Sequence, residues 1–446
     1  MSKIENKETE LDIRKKYSFP SNLVNVEHNN YYIVINPNTA NWIVLKNKKQ
    51  LEIFNMLKNF TIIECIKHFG NKLNDTDLIS VLTEIEAKKF DEEYVNYPEQ
   101  NGLCIYLTNA CNLRCPHCYM YASNEFENEL TTIEIKELLL AFSKNGYKAI
   151  TFTGGEVTLR KDLLEILQYA KSLKYKVTVL SNGTNWNDNL IENIVNYVDE
   201  VQISIDGYDE ESNAIIRGKN SFRKALLTVE KLVQKNMRTS VAITPLLETL
   251  ENNKEKYISF AKKLIGKYAK EQFFVKFNVE LLEGRNVNPT IDSNIYYRKL
   301  MQEITRACYE NYQENDFVLN HENNTVFNNC GFGGITVSAI GDIYFCNRIY
   351  ELKSYSNCRT NSIEYIMLLS KKAMELSDIN NLYPCCNCEL KYICGGGCRI
   401  SYFNDLATCD DIEHFDVSNI PPRKCDFDNK KYFYNMMIKT NKLFYR

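Results

Sequence analysis

The sequence predicts an α/β protein organised around a parallel β-sheet with helices on its outside. Strand-like and helix-like runs alternate strictly through the middle of the chain, and such alternation is typical of parallel strands joined by crossover helices. A short segment that has strands followed by helices precedes this region, and a segment crowded with cysteines follows it. We therefore predict three domains, over residues 18–95, 103–315 and 316–446.

Composition narrows the class of protein. A chain of 446 residues is long enough for two or three domains. Its net charge of −3 gives no general attraction to nucleic acid or to an anionic membrane. The charged N-terminus lacks the apolar core of a signal peptide, and no uninterrupted apolar run is long enough to span a membrane. Because the chain has 16 cysteines and no secretion signal, we expect metal clusters rather than disulfides, in a cytoplasmic protein.

The first domain is predicted to be winged-helix-like. The β-rich runs Tyr31–Ile35 and Trp42–Leu45 are separated by a turn-forming stretch, and two or three helices follow them. Such a domain can bind DNA or capture a peptide on a strand edge. Asp75 and Asp77 begin the last helix and oppose DNA binding, because carboxylates repel phosphates. A purely structural N-terminal cap is the third interpretation.

The run from residue 31 to residue 45, YYIVINPNTANWIVL, resembles a known peptide-chaperone domain. That domain binds the leader sequences of ribosomally made, modified peptides. The resemblance implies that residues 18–95 recognise a leader and that the partner is a precursor peptide.

Three cysteines stand on one short loop directly after the apolar run Leu103–Leu107: Cys111, Cys115 and Cys118. Three thiolates can hold three corners of a cubane [4Fe–4S] cluster and leave the fourth iron open to another ligand. A zinc knuckle or three unrelated buried thiols are the alternatives. The CxxxCxxC spacing resembles the signature loop of the radical S-adenosylmethionine (SAM) enzymes. In that family the open iron binds SAM, so the resemblance implies a SAM cofactor.

Six strand-like runs make up the predicted sheet, at 103–108, 148–153, 175–181, 200–205, 238–245 and 273–281. The helix-like runs between them include Thr131–Ser143, Lys161–Leu173, Asn220–Lys235 and Glu251–Lys267. Six such repeats resemble the partial (β/α)6 TIM-type barrel of radical SAM enzymes. Ligands of such sheets sit at the carboxyl ends of the strands. We also expect Gly284 and Arg285, which follow the sixth strand, to face the substrate.

Glycine and polar residues follow the strands at this end of the sheet. Two glycines after the second strand let a backbone approach a ligand, and the glutamate beside them completes a turn that resembles the family's GGE motif. In the family this motif contacts the amino group of SAM, and the residues after the next two strands suit the ribose or carboxylate of SAM. The resemblance implies a SAM site made of Gly154, Gly155, Glu156, Ser181, Asn182, Ser204 and Arg217. Each of these is otherwise a capping or turn residue.

Cysteines become frequent again near the C-terminus: Cys330, Cys346, Cys385, Cys388, Cys394, Cys398 and Cys425. Thiolates suit iron–sulfur clusters, and a CxxC pair also suits zinc. The spacing resembles the SPASM extension of radical SAM peptide maturases, which holds two auxiliary [4Fe–4S] clusters. The resemblance implies three clusters in all. One auxiliary cluster falls on Cys385, Cys388, Cys394 and Cys425, and the other on Cys330, Cys346 and Cys398 with an unassigned fourth ligand.

The chain departs from the sulfatase-maturase branch of this family at two places. That branch has a further cysteine upstream of the first SPASM cysteine and an aspartate base directly after the second. Here residues 321–329 contain no cysteine, and Asn347 takes the place of the aspartate. Because an amide cannot accept a proton as a carboxylate does, sulfatase maturation is disfavoured. An iron without a fourth protein ligand is free to bind a substrate thiolate.

Over its whole length the chain resembles the sactipeptide and related thioether-forming maturases. The resemblance implies a 5′-deoxyadenosyl radical that removes a substrate hydrogen, and a thioether cross-link in a ribosomally made peptide. It also implies an external electron donor such as flavodoxin or ferredoxin, and no nucleic acid or membrane partner. Carbon–carbon cross-linking and epimerisation are the alternatives within the family. Outside enzymes, an electron-transfer protein or a DNA-binding iron–sulfur sensor remains open, although the GGE turn and the acidic helix oppose them.

Overall fold

The computed structural model describes residues 12–97, 102–309, 324–328, 330–349, 356–400 and 427–444, and the single residues 352, 354, 420, 422 and 425. Residues 321–323 and 329, which belong to the stretch without a cysteine upstream of Cys330, lie outside the described residues. None of the described helices combines the length and the apolar character that a membrane-spanning helix needs.

The described helices and strands follow the predicted order of three segments. The first segment has β1 (Val24–His28), β2 (Tyr31–Asn36), β3 (Asn41–Leu45), α1 (Lys48–Leu57), α2 (Ile62–Phe69) and α3 (Asp75–Ala87). The second has β4 (Gly102–Tyr106), α4 (Thr132–Lys144), β5 (Ala149–Thr153), α5 (Leu163–Ser172), β6 (Lys176–Ser181), α6 (Asp188–Ile194), β7 (Glu200–Ser204), α7 (Glu210–Arg217), α8 (Ser221–Gln234), β8 (Arg238–Ile243), α9 (Leu247–Lys267), β9 (Phe273–Phe277) and α10 (Ile291–Cys308). The third has β10 (Ile335–Val337), β11 (Asp342–Tyr344), β12 (Ser356–Asn357), α11 (Ile363–Leu376), α12 (Lys391–Cys394) and α13 (Phe427–Phe444).

The central sheet confirms the predicted α/β fold. Strands β4 to β9 pair in sequence order and all are parallel, with helices in the connections. Their apolar residues are buried because each strand is covered, as the near-continuous apolar runs predict. All the carboxyl ends therefore meet at one edge, where the predicted site residues lie.

The cysteine-rich segment extends this sheet, which the sequence did not predict. Strand β10 lies parallel to β4 through the pair Thr336 and Cys104, and β11 and β12 follow it antiparallel. Ile335 and Val337 of β10 join the same buried core as the parallel strands β4 to β9. The predicted boundary near residue 316 thus separates two segments that share one hydrophobic core.

The N-terminal sheet is an antiparallel meander, in the order β1–β2–β3, buried on both faces. Alternate residues point to opposite faces of a strand. Val34 and Ile43 pack on the helices of the first segment. Ile35 and Trp42 pack instead on the C-terminal helix α13, against Met437. The first domain therefore packs against α13. The outer strands of its sheet are β1 and β3.

A buried ion pair lies beside this contact. Glu84 Oε2 accepts hydrogen bonds from Lys88 Nζ at 2.7 Å and from Val44 N at 3.2 Å. Lys88 also donates to Asn441 of α13. The side chains of Lys88 and Glu84 are only 1% and 3% exposed. Glu84 lies on the same helix as Asp75 and Asp77, but it is not on the surface and adds nothing to the charge that opposes DNA.

We expect Glu84→Ala to destabilise the protein strongly. It leaves the Lys88 ammonium buried without its carboxylate, and breaking a buried pair in this way costs about 3–5 kcal/mol. Burial already lowers the pKa of Lys88. The measurement is the midpoint of urea unfolding. The control is Glu52→Ala, which removes an exposed pair with Lys49 and should cost about 0–1 kcal/mol. Equal midpoints for the two variants would contradict the prediction.

Candidate active site

The three cysteines of the CxxxCxxC loop line one cavity. The loop leaves β4 and is closed at its base by Cys111 N to Ser123 O, at 2.9 Å, and Ser123 N to Asn109 O, at 3.0 Å. Cys111, Cys115 and Cys118 all border a cavity of about 520 Å³ at the carboxyl ends of the strands. Three thiols facing one space are a donor set that fits an iron–sulfur cluster with one open iron.

Burial favours the protonated thiols of two of these cysteines, Cys111 and Cys115, when no cation is near. It raises the pKa of Cys111, and it raises the pKa of Cys115 to about 11 although Arg217 acts in the opposite direction. A metal binds thiolates and releases their protons, so the cation of a bound cluster would reverse this shift.

A clamp holds the loop from the far side. Arg285 donates to Cys115 O at 3.0 Å and to Ala122 O at 2.6 Å, and Asn286 N donates to Pro116 O at 2.7 Å. A Cβ atom on Gly284 would lie 2.6 Å from the carbonyl carbon of His117. The expectation that Gly284 and Arg285 face the substrate is therefore wrong. They fix the cysteine loop, because its backbone carbonyls need donors that the loop itself does not supply.

The two glycines after β5 make room for the start of the same loop. A Cβ atom on Gly154, whose φ is +146°, would lie 2.5 Å from Thr108 O, and one on Gly155 would lie 2.2 Å from Ala110 O. Gly155 N donates to Thr108 O at 2.8 Å. Both glycines border the cavity, yet the close approach that requires them is to the protein's own backbone.

We expect Gly155→Ala to displace the cysteine loop. The new methyl group collides with backbone, which cannot turn aside as a flexible side chain can, and overpacking of this kind costs at least about 1–3 kcal/mol. Anaerobic iron and sulfide analysis after reconstitution should show less cluster at the first site. The control is Gly266→Ala, since nothing lies within 4 Å of a Cβ at that position of α9. Full cluster content in Gly155→Ala would contradict the prediction.

Glu156 is fully buried and does not border the cavity. Its Oε1 accepts from Ser181 Oγ at 2.7 Å and from Thr158 Oγ1 at 2.6 Å. Its Oε2 accepts from Asn182 N at 2.7 Å. Ser181, Asn182 and Ser204 do border the cavity, at the carboxyl ends of β6 and β7. Glu156 thus organises the turn that presents Ser181 and Asn182.

Asp206 is the centre of a network that the sequence reasoning did not assign to the site. This fully buried carboxylate accepts from Arg217 Nε at 2.5 Å and from Thr244 N at 2.8 Å, and it lies 3.2 Å from His117 Nε2. Burial alone would raise the pKa of Asp206, but Arg217 and His117 lower it. The network ties β7 and α7 to the cysteine loop. In the sequence, this network is indicated only by the position of His117 between Cys115 and Cys118.

The C-terminal cysteines form two groups. Cys330, Cys346 and Cys398 lie near one another: burial, together with the charges of the other two cysteines, raises the pKa of Cys346 to about 11. Arg348 Nη1 is 3.7 Å from Cys398 Sγ and 3.2 Å from Glu280 Oε2. Asn347 and Arg348 border the same cavity as the first three cysteines.

Two members of the second group, Cys388 and Cys394, pack at the edge of the apolar cluster that contains Tyr434 and Met437 of α13. Cys388 N donates to Cys385 O at 2.9 Å, and Cys394 ends the short helix α12. Burial and the neighbouring Glu389 raise the pKa of Tyr434, and Cys388 and Cys425 raise it further. In the part of the chain that the structure describes, no three His, Cys, Asp or Glu side chains converge on a point that would hold a single metal ion.

Comparison with known proteins agrees with this geometry. Residues 105–261 match the model of the Radical SAM superfamily. The chain is 37% identical over 139 residues to the sporulation killing factor maturation protein SkfB of Bacillus subtilis, which is 31% of this chain and 34% of SkfB. It is 29% identical over 266 residues to the antilisterial bacteriocin subtilosin biosynthesis protein AlbA of the same organism, which is 58% of each chain. These matches span about a third and about three-fifths of those relatives.

Two further comparisons extend over more of a known protein. An AdoMet-dependent heme synthase of Methanosarcina barkeri is 26% identical over 335 residues, which is 69% of this chain and 93% of that protein. The solved structure of anSMEcpe with bound AdoMet superposes with a TM-score of 0.55 at 15% identity, covering 76% of this chain and 99% of the other. At this identity the superposition shows the fold alone. Residues 105–261 of this chain are therefore a radical SAM domain.

Proposed function

We propose that this chain is a radical SAM maturase of a ribosomally synthesised peptide. One observation carries the proposal: Cys111, Cys115 and Cys118 border a single cavity together with Asn347 and Arg348 of the cysteine-rich segment. A substrate in that cavity would touch both the SAM site and the segment that we assign to auxiliary clusters. The names of SkfB and AlbA, which refer to peptide maturation and bacteriocin biosynthesis, support a peptide as the substrate.

The residues of the cavity divide into those that would hold the cofactors and those that position them. The three loop cysteines would hold a [4Fe–4S] cluster, and Ser181, Asn182 and Ser204 border the space left for SAM. When bound, the cluster and SAM supply a 5′-deoxyadenosyl radical that removes a hydrogen atom from the substrate. The cavity must then keep water out and hold the C–H bond beside SAM. We assign the two C-terminal cysteine groups to auxiliary clusters, which would make the protein SPASM-type.

The N-terminal domain would bind the leader of the peptide. Its outer strand β1, whose residues are exposed or partly buried, offers an edge to which an extended peptide can add as a further strand. The contact of its sheet with α13, which begins just after Cys425, would keep a bound leader at a fixed distance from the catalytic part. Such tethering raises the local concentration of the core peptide at the cavity.

A thioether is the product that we propose, and two other peptide products remain candidates. Cys330, Cys346 and Cys398 are three thiols, so a cluster on them keeps one iron for a substrate thiolate. A carbon–carbon cross-link would need no thiolate, and an epimerase would return a hydrogen from a cysteine. A tetrapyrrole substrate is a further candidate, favoured by the match to 93% of a heme synthase.

The experiment is the mass of a candidate precursor peptide after anaerobic reaction with reconstituted enzyme and SAM in deuterated water. Loss of two hydrogens, with cysteines that no longer react with an alkylating agent, is the expected result. The same loss with every thiol still reactive would indicate a carbon–carbon bond. A gain of one deuterium without oxidation would indicate an epimerase. An unchanged peptide, together with conversion of an added iron porphyrin, would replace the proposal by heme synthesis.

A control separates leader recognition from catalysis. The same core peptide with a scrambled leader should bind weakly and react slowly, and an excess of the free leader should restore neither rate nor binding. If the scrambled peptide reacts as fast as the natural one, the N-terminal domain is not a leader-binding domain.

A further inference from the structure

Two tyrosines connect the cysteine loop to the C-terminal cysteines. Tyr119 directly follows Cys118, and its phenol oxygen lies 2.9 Å from that of Tyr106, the last residue of β4. Tyr106 in turn donates to Asn347 O at 2.6 Å, and Asn347 directly follows Cys346. Because Tyr106 uses its hydrogen on this carbonyl, Tyr119 is the donor in the bond between the phenols. Two hydrogen bonds therefore separate the backbone at Cys118 from the backbone at Cys346.

The surroundings hold this connection in place. Tyr106 is 1% exposed and packs in a small cluster with Met120, Ala122 and Ile349. The thiols of Cys104 and Cys118 lie at the edge of the same cluster. Closely packed side chains sit in fixed rotamers, so the two hydroxyl groups keep their partners.

The proposed reaction gives such a path a purpose. Cleavage of SAM consumes one electron, and oxidation of the substrate radical to a closed-shell product releases one electron and one proton. The electron is released toward the auxiliary site and is needed again at the SAM site. An internal route between the sites balances the count without an outside reductant for each turnover.

We propose that Tyr119 and Tyr106 form the electron-transfer route between the SAM cluster site and the auxiliary site that contains Cys346. The proposal rests on the proposed function, because it requires a cluster at each site. One electron leaves the auxiliary site and one arrives at the SAM site. The tyrosines keep their hydrogens and are not oxidised, since they only provide electronic coupling through hydrogen bonds and rings. They are positioning residues rather than catalytic ones.

The test compares Tyr106→Phe and Tyr119→Phe with the natural protein. SAM and peptide are both left out, so that no turnover takes place. Each protein is mixed with less than one electron equivalent of dithionite and frozen at increasing times. Paramagnetic resonance then follows how the electron distributes between the SAM cluster and the auxiliary clusters. A reference sample with added SAM identifies the SAM cluster, because SAM changes its signal alone. We expect severalfold slower equilibration in both variants, with the same final distribution. A changed final distribution at an unchanged rate would overturn the route.

The matched control is Tyr121→Phe. It removes a hydroxyl from the same loop, but that hydroxyl donates to Gly284 O at 3.2 Å and lies outside the path. It should equilibrate at the natural rate. If all three variants equilibrate as the natural protein does, the tyrosine route is wrong. Tyr119→Phe changes a side chain that is only partly buried, so it provides the test if Tyr106→Phe does not fold.

A second outcome concerns the proposed function itself. If the natural protein shows only the SAM-cluster signal after complete reconstitution, no auxiliary site exists and the tyrosine route fails, whereas the mass of the peptide decides the proposed function. If both signals are present and the peptide is modified, only the rates in the variants decide about the tyrosines. The amount of reductant consumed per product molecule should then rise in Tyr106→Phe and remain unchanged in Tyr121→Phe.

Discussion

Replacing Asp206 by alanine should destabilise the protein by about 3–5 kcal/mol, because it breaks a buried ion pair and leaves Arg217 without its partner. The same change releases His117, which lies in the cysteine loop, 3.2 Å from the carboxylate. We therefore expect low cluster content in addition to low stability. The two measurements are the midpoint of urea unfolding and anaerobic iron analysis after reconstitution.

The control for this prediction is Asp188→Ala. Asp188 pairs with Lys231 on the surface, and its side chain is 74% exposed, so its removal should cost about 0–1 kcal/mol. Asp206→Asn is the second variant, since it keeps the shape of the side chain and removes the charge. Its midpoint of urea unfolding should lie between those of the natural protein and Asp206→Ala. An Asp206→Ala protein as stable as Asp188→Ala would show that the network contributes nothing.

The contribution of Asp206 also has a predictable pH dependence. Arg217 and His117 hold the pKa of Asp206 below its usual value in the folded protein, against the effect of burial. A carboxylate with a lowered pKa stabilises the folded state at every pH above its unfolded pKa. The stabilisation is lost only as the pH falls through the folded pKa. The difference in stability between the natural protein and Asp206→Asn should thus be present above the usual pKa range of a carboxylate and shrink in acid.

The parallel sheet could be predicted because its strands are buried on both faces. Such strands appear as short apolar runs, and helices of the right length separate them, so all six were found within a few residues of their observed bounds. The added strands β10, β11 and β12 were missed for a physical reason. They have three, three and two residues, which is too short for any periodic pattern.

The site was predictable where residue type alone determines the chemistry. Thiol spacing grouped Cys111, Cys115 and Cys118, and these three cysteines do border one cavity. Arg285 and Asp206 were misjudged or missed because their roles depend on partners far away in sequence. Arg285 bonds to a loop about 170 residues earlier, and Asp206 binds a histidine of that loop. Local patterns carry no information about such contacts.

Glu156→Gln is the second change with a large expected effect, and it decides between two roles of this residue. The family resemblance assigns Glu156 to the amino group of SAM. In the structure both of its oxygens already accept from protein donors, namely Ser181, Thr158 and the backbone of Asn182. A glutamine has one acceptor oxygen and a donor NH₂ group, so at least one buried donor would lose its partner.

If Glu156 organises the turn, Glu156→Gln should lower stability in the absence of SAM by at least about 1–3 kcal/mol, the cost of an unsatisfied buried group. SAM affinity should fall with it, because Ser181 and Asn182 are displaced. Thr158→Val removes one donor and leaves the carboxylate, so it should lower stability less and leave SAM affinity nearly unchanged. Thermal unfolding and equilibrium SAM binding are measured on the same reconstituted preparations. Lost SAM affinity at unchanged stability would favour direct contact with SAM, since a residue that only orders the turn cannot lose one without the other.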